Sequence, residues 1–131
     1  MITVLADRNI EGQSLVLWGI LAKEGWLDMV PARLATFKDL GLPFTATDAE
    51  LWYFAQRGQM IILTDNRNMA GEHSLEQVIR ERNTPDSMPV LTIGKTTRLD
   101  EKNYRERCAY RIVEILADLD DYLGSGRIFI P

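Results

Sequence analysis

Cysteine and histidine are almost missing from this 131-residue sequence: Cys108 and His73 are the single instance of each. One cysteine excludes an internal disulfide and any cysteine-rich zinc site. It is also what a reducing compartment allows, so a cytoplasmic location is expected. An excess of positive charge is missing too. The 15 Lys+Arg stand against 19 Asp+Glu, a net −4, so no global field draws in nucleic acid and any contact with RNA must be local. Long hydrophobic runs are lacking as well. No stretch approaches the ~20 apolar residues that span a bilayer. The opening, Met1 to Asp7, is an apolar run broken by an acid with no basic segment before it, which argues against secretion and membrane insertion. Internal repeats, low-complexity tracts and a linker are also absent from the pattern.

What is there is the balance of one compact domain, residues 1–131, with 46% hydrophobic and 26% charged residues. A chain of this length buries roughly two thirds of its unfolded surface, enough for a core without disulfides or structural metal. Short branched-apolar runs alternate with amphipathic segments, the pattern of crossover units feeding a parallel sheet. Five strands are predicted: Ile2–Ala6, Leu34–Phe37, Met60–Thr64, Pro89–Ile93 and Arg127–Ile130. The unbroken apolar run Met60 to Leu63 suits a strand covered on both faces.

Between the strands, Gly12–Glu24 carries Leu15, Leu17, Trp18, Leu21 and Ala22 at helical spacing, with Gly25 as its stop. Thr47-Asp48-Ala49-Glu50 reads as a capping box opening a helix over Ala49–Arg57, with Leu51, Trp52, Phe54 and Ala55 inward. Ser74-Leu75-Glu76-Gln77 reads as a second box, for a short helix stopping near Asn83 before Pro85. The last helix is predicted over Glu101–Tyr122, burying Tyr104, Cys108, Ile112, Ile115, Leu116 and Leu119. The order β-α-β-α-β-α-β-α-β predicts an α/β fold, three layers deep (α/β/α), around a central, mainly parallel five-stranded sheet.

In such a sheet, ligands sit outside the carboxyl ends of the strands, where strand order reverses. Two polar clusters fall there. The first strand runs into Asp7-Arg8-Asn9, the third into Thr64-Asp65-Asn66-Arg67-Asn68, and Asp48 opens the helix before that third strand. Carboxylates and amide oxygens gathered at one rim are the hard ligands that Mg²⁺ or Mn²⁺ prefers, and such ions activate water against a phosphodiester. Each residue also has a purely structural use: Asp48 suits a helix N-terminus, and Asp and Asn are favoured in strand-to-helix turns.

The run Val4-Leu5-Ala6-Asp7-Arg8-Asn9, then Thr47-Asp48-Ala49-Glu50, then Met60 to Asn68, resembles small bacterial PIN-like domain proteins related to the nucleases of toxin–antitoxin systems. The resemblance implies a metal-dependent ribonuclease with Asp7, Asp48, Asn66 and Asn68 as its catalytic set and Mg²⁺ or Mn²⁺ held by Asp7, Asp48, Asp65 and Asn66. The phosphate would then lie near Arg8, Asn9, Thr64, Arg67 or Lys95. RNA, a second copy of the chain or an antitoxin-like protein are the implied partners.

The third motif departs from the family pattern, where acids follow the threonine at the positions of Asn66 and Asn68. An amide offers a carbonyl oxygen to a metal but no charge. Asp65 occupies the intervening slot and faces either the site or away from it, because successive side chains on extended backbone alternate. A PIN-like interaction or RNA-binding module without nuclease activity is therefore the alternative.

Other features carry less. Gly71-Glu72-His73-Ser74-Leu75 fails the spacing of an acyltransferase nucleophile, and Ser74 reads better as a helix cap. Gly94-Lys95-Thr96-Thr97 lacks the upstream glycine of a phosphate loop. Surface pairings of Arg105 with Glu101 and of Arg111 with Glu114 are expected on the last helix. Trp18, Trp26 and Trp52 are expected in the core or an interface, and Cys108 is expected to be inert.

Overall fold

A computed structural model of the chain describes residues 1–67 and 74–131. Its centre is a five-stranded sheet, β1 (Ile2–Ala6), β2 (Ala32–Ala35), β3 (Met60–Thr64), β4 (Val90–Ile93) and β5 (Arg127–Ile130), ordered β2-β1-β3-β4-β5. The sheet is parallel throughout, as the alternation of elements predicts. Each of its four ladders is parallel, in registers such as Val4↔Leu34, Val4↔Ile61, Leu63↔Leu91 and Leu91↔Ile128.

The period-2 alternation of side chains divides the apolar residues into two cores. Val4, Ile61, Leu63, Leu91, Ile93 and Ile130 face a layer containing α1 (Glu11–Lys23) and α6 (Lys102–Ala117). Leu5, Met60, Ile62 and Val90 face the opposite layer, with α4 (Asp48–Arg57) and α5 (Leu75–Arg82). Every residue of β3 is buried, as its unbroken apolar run predicts. Two shorter helices, α2 (Trp26–Met29) and α3 (Phe37–Leu40), flank β2. The architecture is a three-layer α/β/α fold, and among the described residues no helix is long and apolar enough to cross a membrane.

Several predicted boundaries shift, each for a local reason. The second strand is Ala32–Ala35, not Leu34–Phe37. Thr36 and Asp39 form a reciprocal capping box that starts α3 at Phe37, and this pair of hydrogen bonds overrides the strand preference of Phe37, whose ring is fully buried. In α1 the buried residues are Ser14, Leu17, Trp18 and Leu21. Leu15 and Ala22, placed on the inner stripe by spacing, are exposed. Apolar residues run around most of this helix, so periodicity alone does not select its inner face. Gly25, with φ +79°, ends the helix as expected.

The box at Thr47 and Glu50 is present in both directions, Glu50 N to Thr47 Oγ1 at 3.1 Å and Thr47 N to Glu50 Oε1 at 3.2 Å. The box at Ser74 is only half made. Gln77 N donates to Ser74 Oγ at 3.1 Å, but the Gln77 side chain donates forward to Glu81 at 2.7 Å. The last helix stops at Ala117 and gives way to a 3-10 turn, Leu119–Asp121. Acids at a helix C-terminus oppose its dipole, and Asp118, Asp120 and Asp121 lie there. Arg111 pairs with Glu114 as expected. Arg105 does not pair with Glu101. It donates to the Leu99 carbonyl at 3.0 Å, while Glu101 is taken by Arg98 at 3.2 Å.

Candidate functional site

Strand order reverses at β1: the chain leaves it for β2 on one side and returns to β3 on the other. The carboxyl ends of β1 and β3 therefore mark the switch point of this sheet. Asp7 stands there, directly after β1. Its backbone is held on both sides, Asp7 N to Leu63 O at 2.9 Å and Ile10 N to Asp7 O at 3.0 Å. Its side chain is buried, and Thr64 Oγ1 donates to Asp7 Oδ2 at 2.7 Å. Thr64 thus ties the ends of β1 and β3 together. The same hydroxyl oxygen accepts from Asn66 N at 2.9 Å, which starts the turn after β3.

Burial pushes the Asp7 carboxyl above its ordinary value of 3.8. The Thr64 hydrogen bond and the charge of Arg8 oppose that rise, while the carboxylates of Asp65 and Asp48 add to it. Three acids from separate segments therefore interact at one rim, and the geometry of each differs. Asp48, the first residue of α4, accepts from Asn66 Nδ2 and from Leu75 N through the same oxygen, Oδ2, at 3.1 Å each. It therefore serves the N-terminus of α5, one helix further on in the chain, where a carboxylate also meets the positive end of the dipole. Asp65 accepts from Thr96 Oγ1 at 3.3 Å, in the loop after β4. Its partner thus lies beyond β4, yet its charge acts on Asp7.

The expected phosphate contacts are spread more widely. Arg8 is exposed; its Nη1 donates to the Ala46 carbonyl at 3.2 Å and its guanidinium lies 5.9 Å from the Phe37 ring centroid. Asn9, Arg67 and Lys95 are exposed at the ends of β1, β3 and β4 respectively. Asn68 lies outside the described residues, as does His73. The structure thus brings Asp7, Asp48, Thr64, Asp65 and Asn66 together.

One residue of this neighbourhood has no counterpart in the sequence reading. Arg127 opens β5, and its Nη1 donates to the Asn66 carbonyl at 2.7 Å. A charge at the start of the run Arg127-Ile128-Phe129-Ile130 was the only hint. Its acidic partner, Glu76, is 51 residues away in the chain, too far for local pattern to reveal.

Among the described residues, no group of three or more His, Cys, Asp or Glu side chains is disposed to hold a metal ion. Mg²⁺ does not require one: it keeps several waters and binds through one or two carboxylates together with substrate phosphates. Asp7 and Asp65 fit that weaker demand better than Asp48, whose Oδ2 already accepts two N–H groups. A hollow of about 770 Å³ opens at the other end of the sheet, beside Ile2, Pro31, Gln59 and Met88, before the amino ends of the strands. Comparison with protein-family models, with curated proteins and with solved structures gives no match.

Proposed function

We propose that the rim at the β1/β3 switch point is the centre of a PIN-like, Mg²⁺- or Mn²⁺-dependent ribonuclease that recruits its ion together with the RNA phosphate. The observation that carries this reading is the placement of Asp7, a buried carboxyl directly after β1, held by Thr64 at the end of β3, on which the carboxylates of Asp65 and Asp48 act against the charge of Arg8. A bound divalent ion supplies a more acidic water and neutralises phosphate charge. Thr64 holds Asp7 Oδ2 and so orients that carboxylate. The Asp48–Asn66 hydrogen bond fixes the adjoining wall. Arg8, Arg67 and Lys95 are the exposed cations available to the phosphate backbone.

A second reading is favoured by the same wall. Asp48 and Asn66 satisfy one another without a metal, which suits an interaction or RNA-binding module without nuclease activity, pairing with a second copy or an antitoxin-like protein. Incubation of single-stranded RNA with Mn²⁺ and either the wild-type protein or Asp7→Asn separates the two. Cleavage by the wild type alone is the expected result. Equal cleavage by both, or none by either, removes the nuclease reading.

A further inference from the structure

Arg127 sits on the edge strand β5, separated from β3 by β4. Its side chain is only 6% exposed. The guanidinium spreads over three elements: Nη1 donates to Thr92 Oγ1 on β4 and to the Asn66 carbonyl after β3, both at 2.7 Å, and Nε donates to Glu76 Oε2 on α5 at 2.9 Å. The peptide groups of Asn66 are thereby held from two directions, its N–H by Thr64 Oγ1 and its carbonyl by Arg127. The backbone so held places the Asn66 Cβ, and from there the side-chain amide reaches Asp48.

We infer that Arg127 is a positioning residue of the rim: from the far edge of the sheet it holds the turn after β3, and so sets the Asn66 amide on Asp48 beside Asp7. The fork of a guanidinium is what the task requires. Nη1 and Nε are separate nitrogens in one rigid plane, so one can serve the turn while the other meets Glu76. A lysine ammonium keeps the charge opposite Glu76 but offers a single nitrogen, and cannot reach the three acceptors in this arrangement. Glu76 has the converse place. It meets the guanidinium from α5, where it also pairs with Arg80.

This inference rests on the proposed metal rim for one of its two readouts. The first, independent of metal, is the chemical shift and proton exchange of the Asn66 side-chain amide by NMR in the full chain. The second is Mn²⁺ affinity with inorganic phosphate present. In Arg127→Lys the Asn66 amide is expected to shift and exchange faster, and Mn²⁺ affinity to fall, by less than the roughly 10- to 100-fold typical of removing a group bonded directly to a metal ligand. Glu76→Gln is expected to lower thermal stability while leaving the Asn66 amide in place.

Arg127 also lines a groove of about 470 Å³ between α5 and β5. Methylguanidine added to Arg127→Ala is therefore expected to restore the Asn66 signal. If Arg127→Lys does not fold, Arg127→Gln, which lacks the guanidinium fork that serves Asn66 and Glu76 together, takes its place with the same readouts. An unchanged Asn66 amide in the folded variant overturns the inference, as does an equal change in Glu76→Gln. Absence of Mn²⁺ binding by the wild type removes the metal rim instead, and leaves the inference to be decided by the Asn66 amide.

Discussion

Thr64 and Asp7, 57 residues apart, share a 2.7 Å hydrogen bond at the ends of the neighbouring strands β3 and β1. The hydroxyl donates to the carboxylate and accepts from the turn behind it, so one side chain joins a structural ladder to a chemical group.

Thr64→Val keeps the shape and removes both hydrogen bonds. The buried Asp7 oxygen and the Asn66 N–H lose their partner, at a cost of about 1 to 3 kcal/mol each when buried, less where water reaches. Urea denaturation is expected to show lower stability. An NMR titration is expected to move the Asp7 carboxyl further above its ordinary range, because the Thr64 bond opposes that rise.

Asp7 itself carries a pH signature. Its folded-state value lies above the unfolded one, so the folded protein binds this proton more tightly. The stabilising contribution is full below the ordinary aspartate value of 3.8 and is lost as pH climbs through the folded value. Asp7→Asn preserves an oxygen for Thr64 and abolishes that loss. The variant is expected to be more stable than the wild type at neutral pH in the absence of divalent ions, with a flatter stability profile above the acid range. Under the proposed function, Mn²⁺ with phosphate stabilises the wild type alone; denaturation curves with and without the ion measure both effects.

Asp48 holds the start of α5 from outside that helix. Asp48→Ala removes the carboxylate oxygen that accepts from Leu75 N and from the Asn66 amide, and loss of a capping acceptor costs about 0.5 to 2 kcal/mol. Hydrogen exchange is expected to quicken in the first turn of α5 while the β1–β3 ladder stays protected. Equal loosening of both refutes this local role.

Gly124 tests the packing of the segment before β5. Its φ is +79°, and an added Cβ would lie 2.7 Å from the Pro85 carbonyl oxygen. Gly124→Ala is strained in conformation and blocked by backbone, so the loss is expected to exceed about 1 kcal/mol. Retention of wild-type melting would show that the Pro85 loop moves aside at no cost.

The sheet was largely legible in the sequence because its strands are short apolar runs with clear ends. Ile2–Ala6 stops at Asp7, Met60–Thr64 at Asp65, and Arg127–Ile130 begins after Gly126; all three have their expected bounds. The second strand differs from its expected bounds because Phe37 has the side chain of a strand residue but follows Thr36, which with Asp39 caps a helix. Asp7, Asp48 and Thr64 were legible from their positions at element ends. The service of Asp48 to α5 and the grip of Arg127 on Asn66 were not, since both join segments that sequence spacing cannot relate.

The parallel order of the sheet has a kinetic consequence. None of its ladders is a hairpin, and the one between β1 and β3 pairs Thr3 with Met60, so the chain must close a loop of more than fifty residues before these strands meet. Loop closure of this kind precedes any reward from pairing and slows folding. Asp7 draws its N–H partner, Leu63 O, from that same ladder. The rim therefore cannot form ahead of the sheet, and refolding followed at Asp7 and at the core is expected to give one common rate.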